Sequence, residues 1–586
     1  MYLEKINSPK DVKKLSIEEM KVLSKEIRET LLTKLSEKGG HISPNLGIVE
    51  LTVALHYVFD SPKDKIVYDV SHQSYVHKML TGRREAFTNS DKYYSVSGYS
   101  NPEESEHDFF NIGHTSTSVS LASGLAKARD LKGENDNIIA IIGDGSLSGG
   151  EAYEGLNNVA EAGTNTIVIV NDNDMSIAEN YGGLYKNLKE LRETEGKAQN
   201  NFFKAMGLEY VYVKDGHNYE ELIETLKNVK DTEKPVVVHI HTIKGKGYEP
   251  AEKNKEMWHW GMPFEVETGK SKSSAVSKPT YENLTAEFLL DAMKKDPTVV
   301  AITSGTPFVF GFSPDRRKEA GKQFVDVGIA EEHAVAFASG IAANGGKPVY
   351  GVYSTFLQRT YDQISQDLCI NNNPATILVS MASVYGMNDI THLGLYDIGM
   401  LSNIPNLVYL APATKEEYFA MLEWSINQKS HPVAIRVPAM GVIESGIEDK
   451  TDYSILNKYE VTKTGRDVVV IALGSFYKLG ESVVAKLSKE NGVESTLINP
   501  KYITGLDEEL LEELKKEHKL VITLEDGILD GGFGEKIARF YGASDTKVIN
   551  YGIKKEILDR YNPAELMKKN RLTDVQIIED IMKIVK

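Results

Sequence analysis

Three α/β domains in series, with mainly parallel sheets, is the fold class that this sequence predicts. Three observations predict it. The chain has 586 residues, too many for one hydrophobic core, and the usual domain size sets the expectation at about three or four. Short apolar, β-branched runs alternate with helix-like stretches, the pattern of parallel strands covered on both faces. A Lys-, Ser- and Pro-rich stretch over 265–282, with Gly269-Lys-Ser-Lys-Ser-Ser inside it, has the composition of a linker.

The elements follow in order. Ser16 to Glu37 places apolar residues at helical spacing within a charged background. Asn137 to Ile142 reads as a buried strand ending in Gly143-Asp144-Gly145, and Glu151 to Glu161 as the helix after it. Thr166 to Val170 is a second buried strand, ending at Asn171, and Pro235 to Ile240 fits the same sheet. Beyond the linker, Thr298 to Thr303, Gln323 to Val327 and Pro348 to Tyr353 begin a second α/β unit. A third begins near Ser445, with strands at Asp467 to Ala472, Ser495 to Asn499 and Leu520 to Leu524. The expected domains are 1–270, 271–445 and 446–586.

Composition narrows the functional classes. The chain is 41% hydrophobic and 26% charged, which is ordinary for a folded soluble protein. A net charge of −17 disfavours nucleic acid and anionic membranes as partners, but not a small anionic substrate met by local basic groups. The single cysteine, Cys369, lies between Leu368 and Ile370. It reads as a buried structural thiol and excludes both an internal disulfide and a cysteine-built zinc site. His72 and His77 lack the His-Glu-x-x-His arrangement of a zinc helix. No stretch has the apolar length of a membrane span, and the first residues lack a signal-peptide core, so a cytoplasmic protein is expected.

The most informative feature is Gly143-Asp144-Gly145 followed by Asn171-Asp172-Asn173. Each falls at the carboxyl end of an expected strand, where open α/β sheets bind ligands. A hard cation such as Mg²⁺ takes oxygen ligands and keeps phosphates in its shell. Asp144 offers a carboxylate, Asn173 an amide oxygen, and a nearby carbonyl such as that of Met175 a third ligand. The glycines admit a diphosphate close to the backbone, and the amino end of the following helix favours its charge. Gly-Asp-Gly alone is more often a turn. Ser148 stands where a dinucleotide fingerprint needs its third glycine, and no Lys-Ser/Thr pair completes a nucleotide P-loop.

The paired Gly-Asp-Gly and Asn-Asp-Asn segments resemble the signature of thiamine-diphosphate enzymes. Gly39-Gly-His41, Tyr68-Asp-Val-Ser-His72, His77-Lys-Met-Leu-Thr-Gly-Arg-Arg, Gly113-His114-Thr115 and Lys244-Gly-Lys-Gly-Tyr248 are similar to the first domain of the deoxyxylulose-phosphate synthase family, as is His259. The second domain matches it at Asp326-Val-Gly-Ile-Ala-Glu331, Tyr353-Ser-Thr-Phe356-Leu-Gln-Arg359 and Thr391-His392. The resemblance implies a transketolase-like fold, a homodimer and an active site between the first and second domains of one chain. It implies thiamine diphosphate and Mg²⁺ as cofactors, with pyruvate as donor and glyceraldehyde 3-phosphate as acceptor. The cofactor would meet His72, Gly113, His114, Thr115, Gly145, Ser146, Asn173, Tyr248, Glu331 and Phe356. Glu331 would face the aminopyrimidine ring, and Phe356 would lie against that ring. Tyr353, Arg359 and His392 would line the substrate pocket. His41, His72 and His259 would bond the cofactor or reacting oxygens, with neutral and protonated imidazole both accessible near pH 7.

The match breaks on the acceptor side. Two family arginines that hold the acceptor's phosphate are Met381 and Ala439 here, and an aspartate four positions before the pocket histidine is Asn388. Methionine and alanine cannot make the paired charged bonds of an arginine fork. The stretch from Asn180 to Gly207 is also short for the family. A transketolase-like transfer from another donor and a non-catalytic binding protein are the alternative readings. Release of CO₂ from pyruvate separates the first, and cofactor binding without turnover would favour the second.

Overall fold

The apolar runs of the first 270 residues form one parallel sheet of five strands: β1 (Lys65–Tyr68), β2 (Ile138–Gly143), β3 (Ile167–Asp172), β4 (Glu209–Val213) and β5 (Val236–His241), in the order β1-β2-β3-β5-β4. Ile139, Ile141, Val168 and Val238 are fully buried, as strands covered on both faces require. The structure, a computed structural model, describes residues 1–272 and 278–585; the middle of the expected linker, 273–277, lies outside the described residues.

Helix α1 (Ile17–Lys38) starts one residue from its expected position. Ser16 and Glu19 form a reciprocal capping box, and Gly39 ends the helix at φ +80°. Helix α2 (Gly150–Glu161) follows β2 only after a short 3₁₀ turn at Gly145–Ser148. Its start lies one residue from the expected Glu151. Helix α3 (Gly183–Glu193) fills the short stretch after Asn180 and buries Tyr185, Leu188 and Leu191.

Two units make up the chain. The first holds Met1–Ser277 with Gly328–Ala330, and the second holds Lys278–Val327 with Glu331–Lys586. The second unit contains two sheets. One has six parallel strands, β6 (Val299–Thr303), β7 (Phe324–Asp326), β8 (Lys347–Tyr353), β9 (Thr376–Ser380), β10 (Val408–Leu410) and β11 (Val433–Arg436), in the order β10-β11-β9-β8-β6-β7. The other has β12 (Glu460–Lys463), β13 (Asp467–Ala472), β14 (Thr496–Asn499), β15 (His518–Ile528) and β16 (Lys547–Ile553), in the order β12-β14-β13-β15-β16, with only β12 antiparallel. One hydrophobic cluster runs from Val349, Leu378 and Ile435 to Val469, Ile471 and Phe533, so both sheets share a core. Arg436, at the end of β11, crosses to β15: it bonds both oxygens of Asp397 and also Asp526, and all three are buried. Cys369 is buried, which pushes its thiol up to about 12. Among the described residues, no helix is long and apolar enough to cross a membrane.

Candidate active site

The pairing of β2 with β3 brings the two sequence segments together. Gly143 is in register with Asn171, and Asp144 N donates to the Asn171 carbonyl at 3.1 Å. Asp144 thus sits beside the Asp172-Asn173-Asp174 turn, where Asp174 adopts φ +59°. Oδ2 of Asp144 accepts from Met175 N at 3.0 Å and from Asn180 Nδ2 at 2.7 Å. Burial, with Asp172 close by, pushes Asp144 up to about 7. A cation there would take the place of the proton. Asn173 Oδ1 is buried with no hydrogen-bond partner in the protein, as is Asn180 Oδ1. Orphaned amide oxygens are costly unless a ligand takes them up. Gly145 lets Ser176 pack against this turn: a Cβ there would lie 2.9 Å from Ser176 Oγ. A carboxylate and an orphaned amide oxygen fit a hard cation. Asp144, Asn173 and Met175 would hold it. Among the described residues, no cluster of three His, Cys, Asp or Glu offers a metal site, so this mixed oxygen set has no competitor of that kind.

The turn is fixed from behind. Asp172 accepts from His239 Nε2 at 2.8 Å and from Arg192 of α3 at 2.6 Å, and Arg192 also bonds Asp174 at 2.7 Å. Burial raises Asp172, but His239 and Arg192 more than offset it and leave the carboxyl at about 2. Lys244, three residues past β5, is buried and bonds the Ser176 carbonyl. Burial, only partly opposed by Asp144, brings its ammonium down to about 7.

Gly113, His114 and Thr115 lie in the loop before a helix that starts at Ser118. Ser116 N and Ser118 N donate to Asp69 at 2.8 and 3.0 Å, and Ser116 Oγ donates to the Ser146 carbonyl at 2.8 Å. The loop is thereby joined to the Gly145–Ser146 turn. The three expected histidines also meet. Ring centroids are 5.1 Å apart for His41 and His72, 5.2 Å for His72 and His259, and 5.8 Å for His41 and His259. Asn45 Nδ2 braces two of them through the His41 and His72 carbonyls, at 2.9 and 2.8 Å. Burial pulls His41 down to about 4, and burial with Lys244 and the other two rings holds His259 well below its usual range. This corrects the expectation of a proton shared near pH 7: His41 and His259 are neutral imidazoles. Tyr248 packs its ring edge-on against Trp258 at 5.1 Å within the hydrophobic core, and its hydroxyl bonds the Val266 carbonyl.

In the second unit, helix α4 (Glu331–Ala343) opens with Glu331, which is buried at 3% exposure. Its Oε2 has no hydrogen bond within the protein, and Arg359 approaches only to 4.0 Å. Burial, opposed in part by Arg359, pushes the carboxyl up to about 7. Such a group holds a proton that it can share with a ring nitrogen. Tyr353, at the end of β8, stands 5.9 Å from Phe356, and Phe356 stands 5.6 Å edge-on from His392. Burial raises the Tyr353 hydroxyl to about 12, so it donates as a neutral phenol.

Asn180 and Arg192 escaped the sequence reading of the site, and Lys244 entered it only as part of the Lys244-Gly-Lys-Gly-Tyr248 match, with no role assigned.

Comparison with known proteins follows this geometry. Three family profiles cover the chain: "1-deoxy-D-xylulose-5-phosphate synthase" over residues 3–200 and 195–242, the transketolase pyrimidine-binding domain over 277–442, and the transketolase C-terminal domain over 457–577. A 1-deoxy-D-xylulose-5-phosphate synthase of Alkaliphilus oremlandii is 39% identical, with 99% of each chain covered. This chain belongs to the 1-deoxy-D-xylulose-5-phosphate synthase family. The synthase of Caldanaerobacter subterraneus is 40% identical, again over 99% of both chains. Transketolase from Campylobacter jejuni aligns over 97% of this chain and 100% of its own, at 16% identity and a TM-score of 0.43. The synthase family consists of thiamine-diphosphate-dependent transferases of aldehyde or ketone residues, with transketolase-like domains.

Proposed function

We propose that this protein decarboxylates pyruvate and transfers the two-carbon unit to an aldose acceptor, with thiamine diphosphate and Mg²⁺ as cofactors. The observation that carries the reading is the orphaned Asn173 Oδ1 in the turn next to Asp144, a buried carboxyl raised to about 7. Full-length relatives named 1-deoxy-D-xylulose-5-phosphate synthase support it. When bound, thiamine diphosphate supplies the electron sink for decarboxylation. The chain's own residues do the rest. Asp144, Asn173 and Met175 hold the cation, Gly145 and Ser146 with Gly113–Thr115 receive the diphosphate, and Glu331 holds a proton for the pyrimidine. His41, His72 and His259 orient oxygens by hydrogen bonds, His41 and His259 as neutral rings that add no charge. Tyr353, Arg359 and His392 bind the reactants. A homodimer in the cytoplasm is the working form implied by the family.

A second reading concerns the acceptor. Arg436 is the one arginine left in Arg436-Val-Pro-Ala439, and Asp397 and Asp526 engage it fully. With Met381 and Ala439 also unable to bind phosphate, an acceptor without a phosphate group fits this pocket better. Purified protein, thiamine diphosphate and Mg²⁺ should release CO₂ from pyruvate with either D-glyceraldehyde or its 3-phosphate present. Their relative kcat/KM decides the acceptor. Absence of any calorimetric binding of the cofactor would remove the whole proposal.

A further inference from the structure

The loop carrying His392 leaves β9 through Met381, which adopts φ +56°. Its carbonyl oxygen lies so near Gly386 and Gly394 that a Cβ on either would sit 2.0 or 2.1 Å away. Only glycine allows the loop to close there, and Ser383 N bonds the Gly394 carbonyl at 2.8 Å. The middle of the loop is tied to residues 559–561 of the same unit. Asn388 Nδ2 donates to the Tyr561 carbonyl at 2.8 Å, Arg560 N to the Asn388 carbonyl at 2.7 Å, and Ile390 N to Asp559 Oδ1 at 3.2 Å.

Three side chains line up inside this frame. Thr391 Oγ1 bonds Asp389 Oδ1 at 2.9 Å and lies 2.8 Å from His392 Nδ1. Thr391 N donates to the same carboxylate oxygen at 3.1 Å. A hydroxyl has one proton to give, and an ionised carboxylate can only accept. Thr391 therefore gives its proton to Asp389, and its oxygen must accept from His392. We propose that Asp389, acting through Thr391, is a positioning residue that fixes His392 as the Nδ1–H tautomer and so makes Nε2 the basic nitrogen.

The role of that nitrogen in turnover rests on the reading of His392 as a pocket residue; its tautomer does not. Burial raises the Asp389 carboxyl, Asp559 adds to this, and Thr391 and Arg560 oppose it.

The test uses the protein loaded with thiamine diphosphate and Mg²⁺, labelled with ¹⁵N-histidine, with the His392 signals assigned by their loss in His392→Gln. Thr391→Ser keeps the hydroxyl; Thr391→Val and Asp389→Ala break the relay. The wild type and Thr391→Ser should both show the Nδ1–H form, and the other two should show Nε2–H or a mixture. In those two, kcat for pyruvate should fall by about tenfold or more, and by no more than the roughly 10²–10⁴-fold worth of a positioned acid or base, while KM changes little. The acid limb of the pH profile should also move. A wild-type Nε2–H signal overturns the proposal, and so does an unchanged tautomer in both broken variants. A tautomer that follows the variants while turnover does not would uphold the positioning and remove His392 from the chemistry.

Discussion

Asp144 and Glu331 are two buried carboxyls that both rest near pH 7, yet their surroundings are opposite. Asp144 is ringed by donors, with Met175 N and Asn180 Nδ2 already bonded to it and Lys244 nearby. Its carboxyl is raised to about 7 because burial and Asp172 act together. Glu331 Oε2 has no hydrogen bond among the described residues, and the Arg359 guanidinium stands off at 4.0 Å. The first environment awaits a positive charge, which would discharge the proton and complete the oxygen shell. The second is a dry place where a proton is stored for sharing. Under the proposed function one position would be a ligand and the other an acid, and their pKa values alone would not tell them apart.

The largest expected effect sharpens the second half of that contrast. Glu331→Gln should lower kcat for CO₂ release by about 10²–10⁴-fold while leaving calorimetric binding of cofactor close to wild type. Asp144→Ala combined with Asn173→Ala should do the reverse. Binding of thiamine diphosphate with Mg²⁺ should weaken by at least about 100-fold, or roughly 3 kcal/mol. Glu331 also makes a stability prediction. Its folded pKa is raised, so the folded protein binds more protons than the unfolded chain between pH 4.5 and about 7. The stability it contributes is greatest below that window and is lost as pH rises through it. Cofactor-free Glu331→Gln should therefore be more stable than wild type at pH 8, by about 3 kcal/mol at most, with the gap closing toward pH 4 in urea titrations. Arg192→Met should weaken cofactor affinity by about 10–100-fold, the usual effect of removing a group that orients a metal's ligands. Smallest of all, Tyr248→Phe should cost about 1 kcal/mol of stability through the lost Val266 bond and leave cofactor affinity unchanged. A change in affinity there would reopen its place in the site.

Burial alone did not decide which strands the sequence reading located: Thr376–Ser380 and Val433–Arg436 are fully buried yet went unread, while the partly exposed Phe324–Asp326 was found. Asn137 to Ile142 became Ile138–Gly143, and Asp467 to Ala472 held at both ends. β4 was missed because Glu-Tyr-Val-Tyr-Val is an edge strand with mixed exposure, and β10 because three residues carry too little periodicity. In the site, residues next to strand ends were legible, since a strand end fixes position within a residue or two. Arg192 was not: it reaches Asp172 and Asp174 from a helix whose presence depends on packing Tyr185, Leu188 and Leu191. Nor was the charge state of His41 and His259 legible, because desolvation depends on the surrounding fold and no local pattern reports it.

Arg436 carries a lesson for recombining parts of this protein. Its two acidic partners come from opposite sides of the expected domain boundary, Asp397 before residue 445 and Asp526 after it. Breaking a buried pair of this kind by removing one partner costs about 3–5 kcal/mol. A chimaera that takes its last sheet from a distant relative must import residues 397, 436 and 526 as a matched set, or it will enclose a mismatched charge where the two sheets are sewn together.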